Sequence, residues 1–226
     1  MPNDAPPALR RTQRTRLRRF AKRADYTLDT INAILDEALI CHMGFVHEGQ
    51  PFVIPTAFGR VDDRLYLHGS AASRALRTLS AGVDACVTVT LTDGLVLARS
   101  AFNHSFNYRC VVVLGTATPV TDPAEKELAL EVFTDRLVPG RWADVRWPTR
   151  KELKATSVLT MPIEEASAKV RVGPPVDEGA DLEHEAWAGV IPLATTVLEP
   201  EPDPKLAAGY PVPDYIRNWR MSRPGS

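Results

Sequence analysis

The stretch Asp84–Thr92 alternates without a break. Ala85, Val87, Val89 and Leu91 fall on one side, and Cys86, Thr88, Thr90 and Thr92 on the other. A period of two is the signature of a strand with one face on a core. Asp93-Gly94 follows as a two-residue hairpin signal, leading into a strand over Leu95–Ser100. Tyr108–Val120 is a longer strand. Its run Val111-Val112-Val113-Leu114 does not alternate, which predicts a central strand covered on both faces. Ile40–His47 and Pro51–Arg60 flank the turn His47-Glu48-Gly49-Gln50 and read as a hairpin. Asp62-Asp63 makes the next turn, before a strand over Arg64–His68. Ser157–Ile163 and Ala168–Val172 supply the last strands. About seven strands in meander order, with few helices between them, argue against a doubly wound sheet and favour a closed antiparallel barrel with helices outside.

Three helices are marked by their caps. Thr27 caps a helix over Leu28–Leu39, with Leu28, Ile31, Ile34 and Leu35 at helical spacing. Asp122-Pro123-Ala124-Glu125 reads as a capping box with proline in the first turn, and its helix runs to about Val138. Thr149-Arg150-Lys151-Glu152 is a second capping box. Before the first helix, Arg10 to Arg23 carries eight cations and no acid, and no apolar face repeats. Beyond Gly173 the chain is rich in proline and acid, with one apolar patch, Trp187–Leu193. The expected division is a basic, disordered arm over 1–24, a core domain over 25–195 and an irregular tail over 196–226.

Net charge is −1, with 44% hydrophobic and 24% charged residues among 226. That is the balance of a globular domain rather than of a bulk nucleic-acid binder. The basic arm reads as a solvated tail, with a nucleic-acid or membrane-surface role as the alternative. Cys41, Cys86 and Cys110 are odd in number and lie in apolar runs, the pattern of free thiols in a reducing compartment. No signal peptide follows the arginines, and no segment approaches the roughly 18 apolar residues of a span. The expectation is a cytoplasmic protein. Gly-x-Ser-x-Gly, His-Glu-x-x-His and Cys-x-x-Cys are absent, and the five histidines show no ligand spacing. No catalytic side chain or metal site is therefore expected, and a cofactor is expected to bring the reactive atoms.

Two stretches suit a cofactor. In Tyr66-Leu67-His68-Gly69-Ser70-Ala71-Ala72-Ser73-Arg74 a strand ends at glycine and turns into a helix over Ser70–Leu79, capped by Ser70. Free N–H groups, two hydroxyls and a guanidinium make an anion site suited to phosphate. The same residues also suit an ordinary capped helix with a surface arginine. Arg99–Cys110 is a polar, aromatic loop in which Asn107, Tyr108 and Arg109 offer hydrogen bonds and a stacking surface, or simply close a hairpin.

The order of these elements resembles the flavin-binding split barrel related to pyridoxamine 5′-phosphate oxidase, nearest the branch of the nitroimidazole-resistance reductases. The matching stretches are Pro55-Thr56-Ala57-Phe58, Leu65–Ser70, Ser73-Arg74, Asn107–Val113, Lys169-Val170-Arg171 and Trp187–Val190. The resemblance implies a mainly β fold with flanking helices, a split, Greek-key-like barrel of the FMN-binding type, and a homodimer holding FMN between its subunits. It places Pro55 and Thr56 along the isoalloxazine, and His68, Ser70, Ser73 and Arg74 by the ribityl phosphate. Asn107, Tyr108 and Arg109 approach from beyond, with Lys169 and Trp187 as further contacts. As structural alternatives, His68 caps a turn, Lys169 is an exposed strand lysine and Trp187 plugs the barrel mouth.

The implied function is an FMN-dependent oxidoreductase passing hydride from a nicotinamide donor to a small, electron-poor substrate. A deazaflavin reductase on the same fold is one alternative. Another is a protein that binds flavin, or haem through His42 or His68, without turnover. The segment after Trp187 carries no arginine clamp, so pyridoxamine 5′-phosphate is not the expected substrate. Cys110 stands where the branch often has serine.

Overall fold

The computed structural model of the chain describes residues 6–207 and 209–220. Residues 1–5 of the expected arm, and 208 and 221–226 of the expected tail, lie outside them. Nine strands follow one another across an antiparallel sheet. They are β1 (Ala24–Asp25), β2 (Ile40–His47), β3 (Gln50–Val61), β4 (Arg64–Ser70), β5 (Asp84–Leu97), β6 (Ser105–Thr116), β7 (Thr118–Pro119), β8 (Thr156–Pro162) and β9 (Glu165–Arg171). The order is β1-β9-β6-β5-β2-β3-β4-β8-β7, and β10 (Gly189–Pro192) adds to β5. The helices are α1 (Leu28–Glu37), α2 (Arg74–Ser80), α3 (Pro123–Leu137), α4 (Arg141–Asp144), α5 (Arg150–Ala155) and α6 (Asp214–Arg217). The fold is mainly β with flanking helices. The end strands β1 and β7, two residues each, do not pair with one another. The barrel is therefore split, and the closed barrel expected from the strand count is corrected.

The alternation read in Asp84–Thr92 is real. Ala85, Val87 and Val89 are buried, with Ile31, Ile34 and Leu35 of α1 and Met43 and Phe45 of β2 in the same core. Asp93-Gly94, however, is no hairpin. β5 runs straight through it with a bulge between Thr92 and Gly94. A Cβ on Gly94 would sit 3.0 Å from the Ile191 carbonyl oxygen, so this glycine serves the close approach of β10 rather than a turn. The chain reverses later, at Ala101–Asn103, where the Ser100 hydroxyl accepts from Phe102 N–H. Asn107, Tyr108 and Arg109 consequently lie on β6 and not in a loop. The Val111–Leu114 run also alternates in place. Val111 and Val113 are 0% exposed, while Val112 and Leu114 are only half-buried on the outer face.

The caps largely hold. Thr27 accepts from Thr30 N–H, and Thr149 and Glu152 form both halves of a capping box. Asp122 accepts from Glu125 N–H, but the Glu125 carboxylate turns away to take the Tyr66 hydroxyl at 3.0 Å. The first hairpin turns on Glu48 and Gly49, both at positive φ, the mirror-image turn that matches strand twist. The helix expected from Ser70 begins at Arg74, because β4 continues through Ser70, paired with Thr156. Gly69 lets α2 approach, since a Cβ there would lie 3.1 Å from a Leu76 methyl.

Residues 6–23 differ from the disordered arm expected. Ala8 bridges to Thr27, and Leu9 N–H donates to the Tyr26 carbonyl at 2.8 Å. Thr15 is buried, Arg14 pairs with Glu165 at 3.3 Å, and Arg23 covers the Phe20 ring. The contacts of Ala8, Leu9 and Arg14 are made to residues distant in sequence, which no local repeat announces.

Candidate functional site

Ser70, Ser73 and Arg74 come together at one turn. Ser73 N–H donates to the Ser70 carbonyl, and the Ser70 hydroxyl accepts from Ala72 N–H. Ser73 is the N-cap of α2, yet its hydroxyl makes no capping bond. The Arg74 guanidinium lies 4.4 Å over the Phe52 ring, and no carboxylate pairs with it among the described residues. A hydroxyl and a guanidinium are thus free in one place. α2 spans seven residues, so the pull on an anion comes from Arg74 more than from a helix dipole.

Pro55 and Thr56 do not share an edge. They are neighbours on a strand and point to opposite faces of β3. Pro55 is exposed, opposite His42 on β2. His68 also leaves the expected group. It faces α3 from β4, its ring 4.0 Å from the ring of Phe133 between centroids.

There it lines a cavity of about 450 Å³ between the sheet and α3. Ala57, Phe133, Leu137, Val138 and Ile216 make apolar walls, and Arg141 is the cation. Gly59 lets α3 sit close, since a Cβ would meet Val132 at 3.0 Å. The C-terminal segment closes the rim. Arg141 donates to the Tyr215 hydroxyl at 2.9 Å, Tyr215 donates to Asp144 at 2.5 Å, and Ile216 of the same α6 enters the wall. Burial pushes the His68 pKa below the ordinary histidine value. Its Nδ1 is buried with no hydrogen-bond partner among the described residues. Nδ1 is closed off from the cavity as well, so Nε2 is the ring nitrogen left to meet a ligand.

Arg109 is the opposite case. It donates to Glu37 through both terminal nitrogens and to Asp93 through Nε and Nη2, at 2.7–3.0 Å where the bonds have ordinary length. The bulge after Thr92 lies beside Asp93, which faces this guanidinium. The two carboxylates raise the Arg109 pKa. A cavity of about 600 Å³ opens beside the cluster, but the Arg109 guanidinium is already committed to the two carboxylates.

Asn107 is buried, with both its amide nitrogen and its amide oxygen engaged. It donates to the Gly173 carbonyl at 3.1 Å and accepts from Arg171, holding the segment after β9. Tyr108 is half-buried on β6, across from Thr92 and Arg171. Lys169 is paired with Ala24 and Cys110 on β9. Trp187 is 67% exposed, its ring laid over Gly189 rather than plugging a barrel mouth. Phe133, Arg141 and Ile216 carried no local signal in the sequence; only the return of α3 and the tail onto β4 brings them to His68. Among the described residues no cluster of His, Cys, Asp or Glu has metal-site geometry, and no helix is long and apolar enough to cross a membrane. The three cysteines are free thiols, and burial pushes Cys41 up to about 12.

A split barrel of this topology is itself informative, and the sequence agrees with it. Residues 27–170 match the family model described as pyridoxamine 5′-phosphate oxidase. The chain belongs to this family. Among solved structures it is similar to the flavocytochrome Anf3 from Azotobacter vinelandii. That likeness is 44% in sequence, with a TM-score of 0.88 over 93% of this chain and 98% of that one. It is similar to the FAD and haem binding protein from Mycobacterium smegmatis at 40% identity, TM-score 0.83, over 86% and 96% of the two chains. A 5-nitroimidazole antibiotic resistance protein from Bacteroides thetaiotaomicron shares the fold at 24% identity, TM-score 0.55, over 65% and 86%. No curated protein matches the sequence. The fold is thus a flavin-binding fold, and the two relatives of highest identity named here are described as a flavocytochrome and a flavin- and haem-binding protein.

Proposed function

We propose that this chain is an electron-transfer protein with two cofactors, a haem in the cavity over His68 and a flavin beside Arg74. The observation that carries the reading is His68 itself, an imidazole that lines an apolar cavity and makes no side-chain hydrogen bond among the described residues. The residues fit a haem. Phe133 packs against the imidazole and restricts its plane. Leu137, Val138 and Ile216 exclude water. Arg141 is placed to face a porphyrin carboxylate, and Tyr215 and Asp144 hold it there. Haem supplies one-electron and oxygen chemistry, and flavin couples it to hydride donors.

For the flavin, Arg74 and the Ser73 hydroxyl hold the ribityl phosphate. The resemblance implies FMN, and the relative from Mycobacterium smegmatis is described as binding FAD. The ring and ribityl phosphate are common to both. Pro55, Thr56, Tyr108, Lys169 and Trp187 remain proposed contacts to the ring, supplied in part across a dimer. The outer face of β2 and β3 supports that dimer, because Ile40, Val46 and Val53 stand 55–67% exposed beside His42 and Pro55. The substrate class is a small, electron-poor acceptor with a nicotinamide donor. Arg109 has its N–H groups taken by Glu37 and Asp93, which supports leaving pyridoxamine 5′-phosphate out.

The test is the absorption spectrum, and the mass of the extracted small molecules, of full-length protein expressed with haem precursor. A Soret band together with an oxidised flavin band is expected. Flavin without haem, even after hemin is added, would overturn the haem half.

A further inference from the structure

We infer that residues 212–219 form a strap over the His68 cavity, latched by the Tyr215 hydroxyl, whose opening sets how fast haem enters and leaves; the inference rests on the haem reading above. The sheet ends at Pro192, and the bond from Leu193 N–H to the Asp93 carbonyl is the last backbone tie of the chain to it. From Leu193 to Pro211 every described residue except Val197 is exposed. The chain returns to the fold around α6, where Val212, Pro213, Tyr215, Ile216 and Trp219 are half-buried. Among the described residues beyond Leu193, Tyr215 alone hydrogen-bonds to the rest of the fold. Its hydroxyl accepts from Arg141 at 2.9 Å and donates to Asp144 at 2.5 Å. The next residue, Ile216, is the one the strap places in the cavity wall.

The strap is one unit. Ile216 and Arg217 N–H donate to the Pro213 carbonyl, Asn218 N–H to Asp214 and Trp219 N–H to Ile216, and the Arg217 guanidinium reaches the Val212 carbonyl at 3.3 Å. Its seat is loose. A second cavity of about 300 Å³ lies against it, walled by Val197, Leu198 and Trp219, and Val138 and Ile216 line both cavities. The facing wall is firm, since α3 runs fifteen residues and sinks Ala129 and Phe133 into the core. Segments with few buried apolar contacts open before segments with many. The latch is also wet, with the Arg141 and Asp144 side chains 41% and 45% exposed, so water can replace its bonds. Ile216 can therefore leave the wall when two hydrogen bonds break, while α3 and β4 stay in place. A porphyrin plate must pass the rim that Ile216 forms, and the strap is the part of that rim able to move.

Tyr215→Phe removes the latch and keeps the ring. A single helical turn does not hold in water by itself, so undocking exposes its amides to exchange. In haem-free, full-length protein, hydrogen exchange read by mass is expected to be faster in residues 212–219 than in α3. In Tyr215→Phe it should be about tenfold faster again, with α3 unchanged. Hemin is then added, its association followed by stopped flow and its loss by transfer to apomyoglobin. Both rates are expected to rise together by about tenfold, with the dissociation constant moving by less than about threefold, because the latch is the same whether the cavity is empty or filled. Faster loss with unchanged association would make Tyr215 only a support for Arg141 and overturns the strap. Exchange in 212–219 as slow as in α3, or unaltered by the variant, also overturns it. If Tyr215→Phe does not fold, Asp144→Ala is read the same way. Wild-type protein that takes up no hemin overturns the haem reading, and the exchange measurement, made without haem, still decides whether the segment opens.

Discussion

Arg109 and His68 both project from central strands into partly buried surroundings, and the two surroundings could hardly differ more. Around Arg109 the protein supplies an acceptor for almost every N–H, from α1 on one side and the β5 bulge on the other. Around His68 it supplies an aromatic ring, aliphatic walls and no hydrogen bond. A guanidinium held by two carboxylates ties elements together and has little left to offer an anion. An imidazole with no hydrogen bond to hold it keeps its accessible ring nitrogen available to a ligand. On the proposed reading Arg109 belongs to the scaffold and His68 to the haem site, and each assignment can be broken.

The largest expected effect is at Arg109. Arg109→Ala leaves Glu37 and Asp93 facing each other without their cation, and should cost about 2–4 kcal/mol of stability. Urea denaturation measures it. The cofactor content per folded molecule should stay unchanged, and a stable variant that loses its flavin would move Arg109 back into the site. Gly94→Ala comes next. The new methyl meets the Ile191 carbonyl of β10, and a loss of about 1–3 kcal/mol is expected from thermal or urea melts. A neutral outcome would mean that β10 can shift away from β5.

The smallest effect sharpens His68. In haem-free protein burial lowers its pKa from the ordinary value of 6.5. The unfolded chain therefore takes up a proton first as pH falls. Stability is complete above the unfolded value and declines as pH drops toward the lowered folded one. Wild-type should lose more stability than His68→Gln between about pH 7.5 and about pH 5.5. Equal slopes would show that His68 protonates in the folded state as easily as in water.

How much of this was legible in the sequence follows from what each feature depends on. The alternation of Asp84–Thr92, the Thr27 and Thr149 caps and the Glu48-Gly49 turn are local, and they fold as read. Asp93-Gly94 has the composition of a hairpin and becomes a bulge, because β10, nearly a hundred residues later, pairs with the strand beyond it. β4 outruns its glycine because β8 pairs with it through Ser70. The grouping of site residues fared unevenly for the same reason. Ser70, Ser73 and Arg74 lie within five consecutive residues and stay together. Pro55 and Thr56 are separated by strand alternation alone, and His68 is claimed by α3 and the tail, whose approach no short motif encodes.

The most direct test of the account compares two histidines that both suit a haem ligand on sequence alone. His42 is exposed on the uncovered face of β2, and His68 lines the cavity under α3. Full-length wild-type, His42→Ala and His68→Ala proteins are expressed with haem precursor, and their Soret absorbance per folded molecule is measured. The account predicts that His42→Ala keeps the wild-type band and His68→Ala loses it while retaining its circular dichroism and its flavin. Loss of the band in His42→Ala with retention in His68→Ala would contradict it.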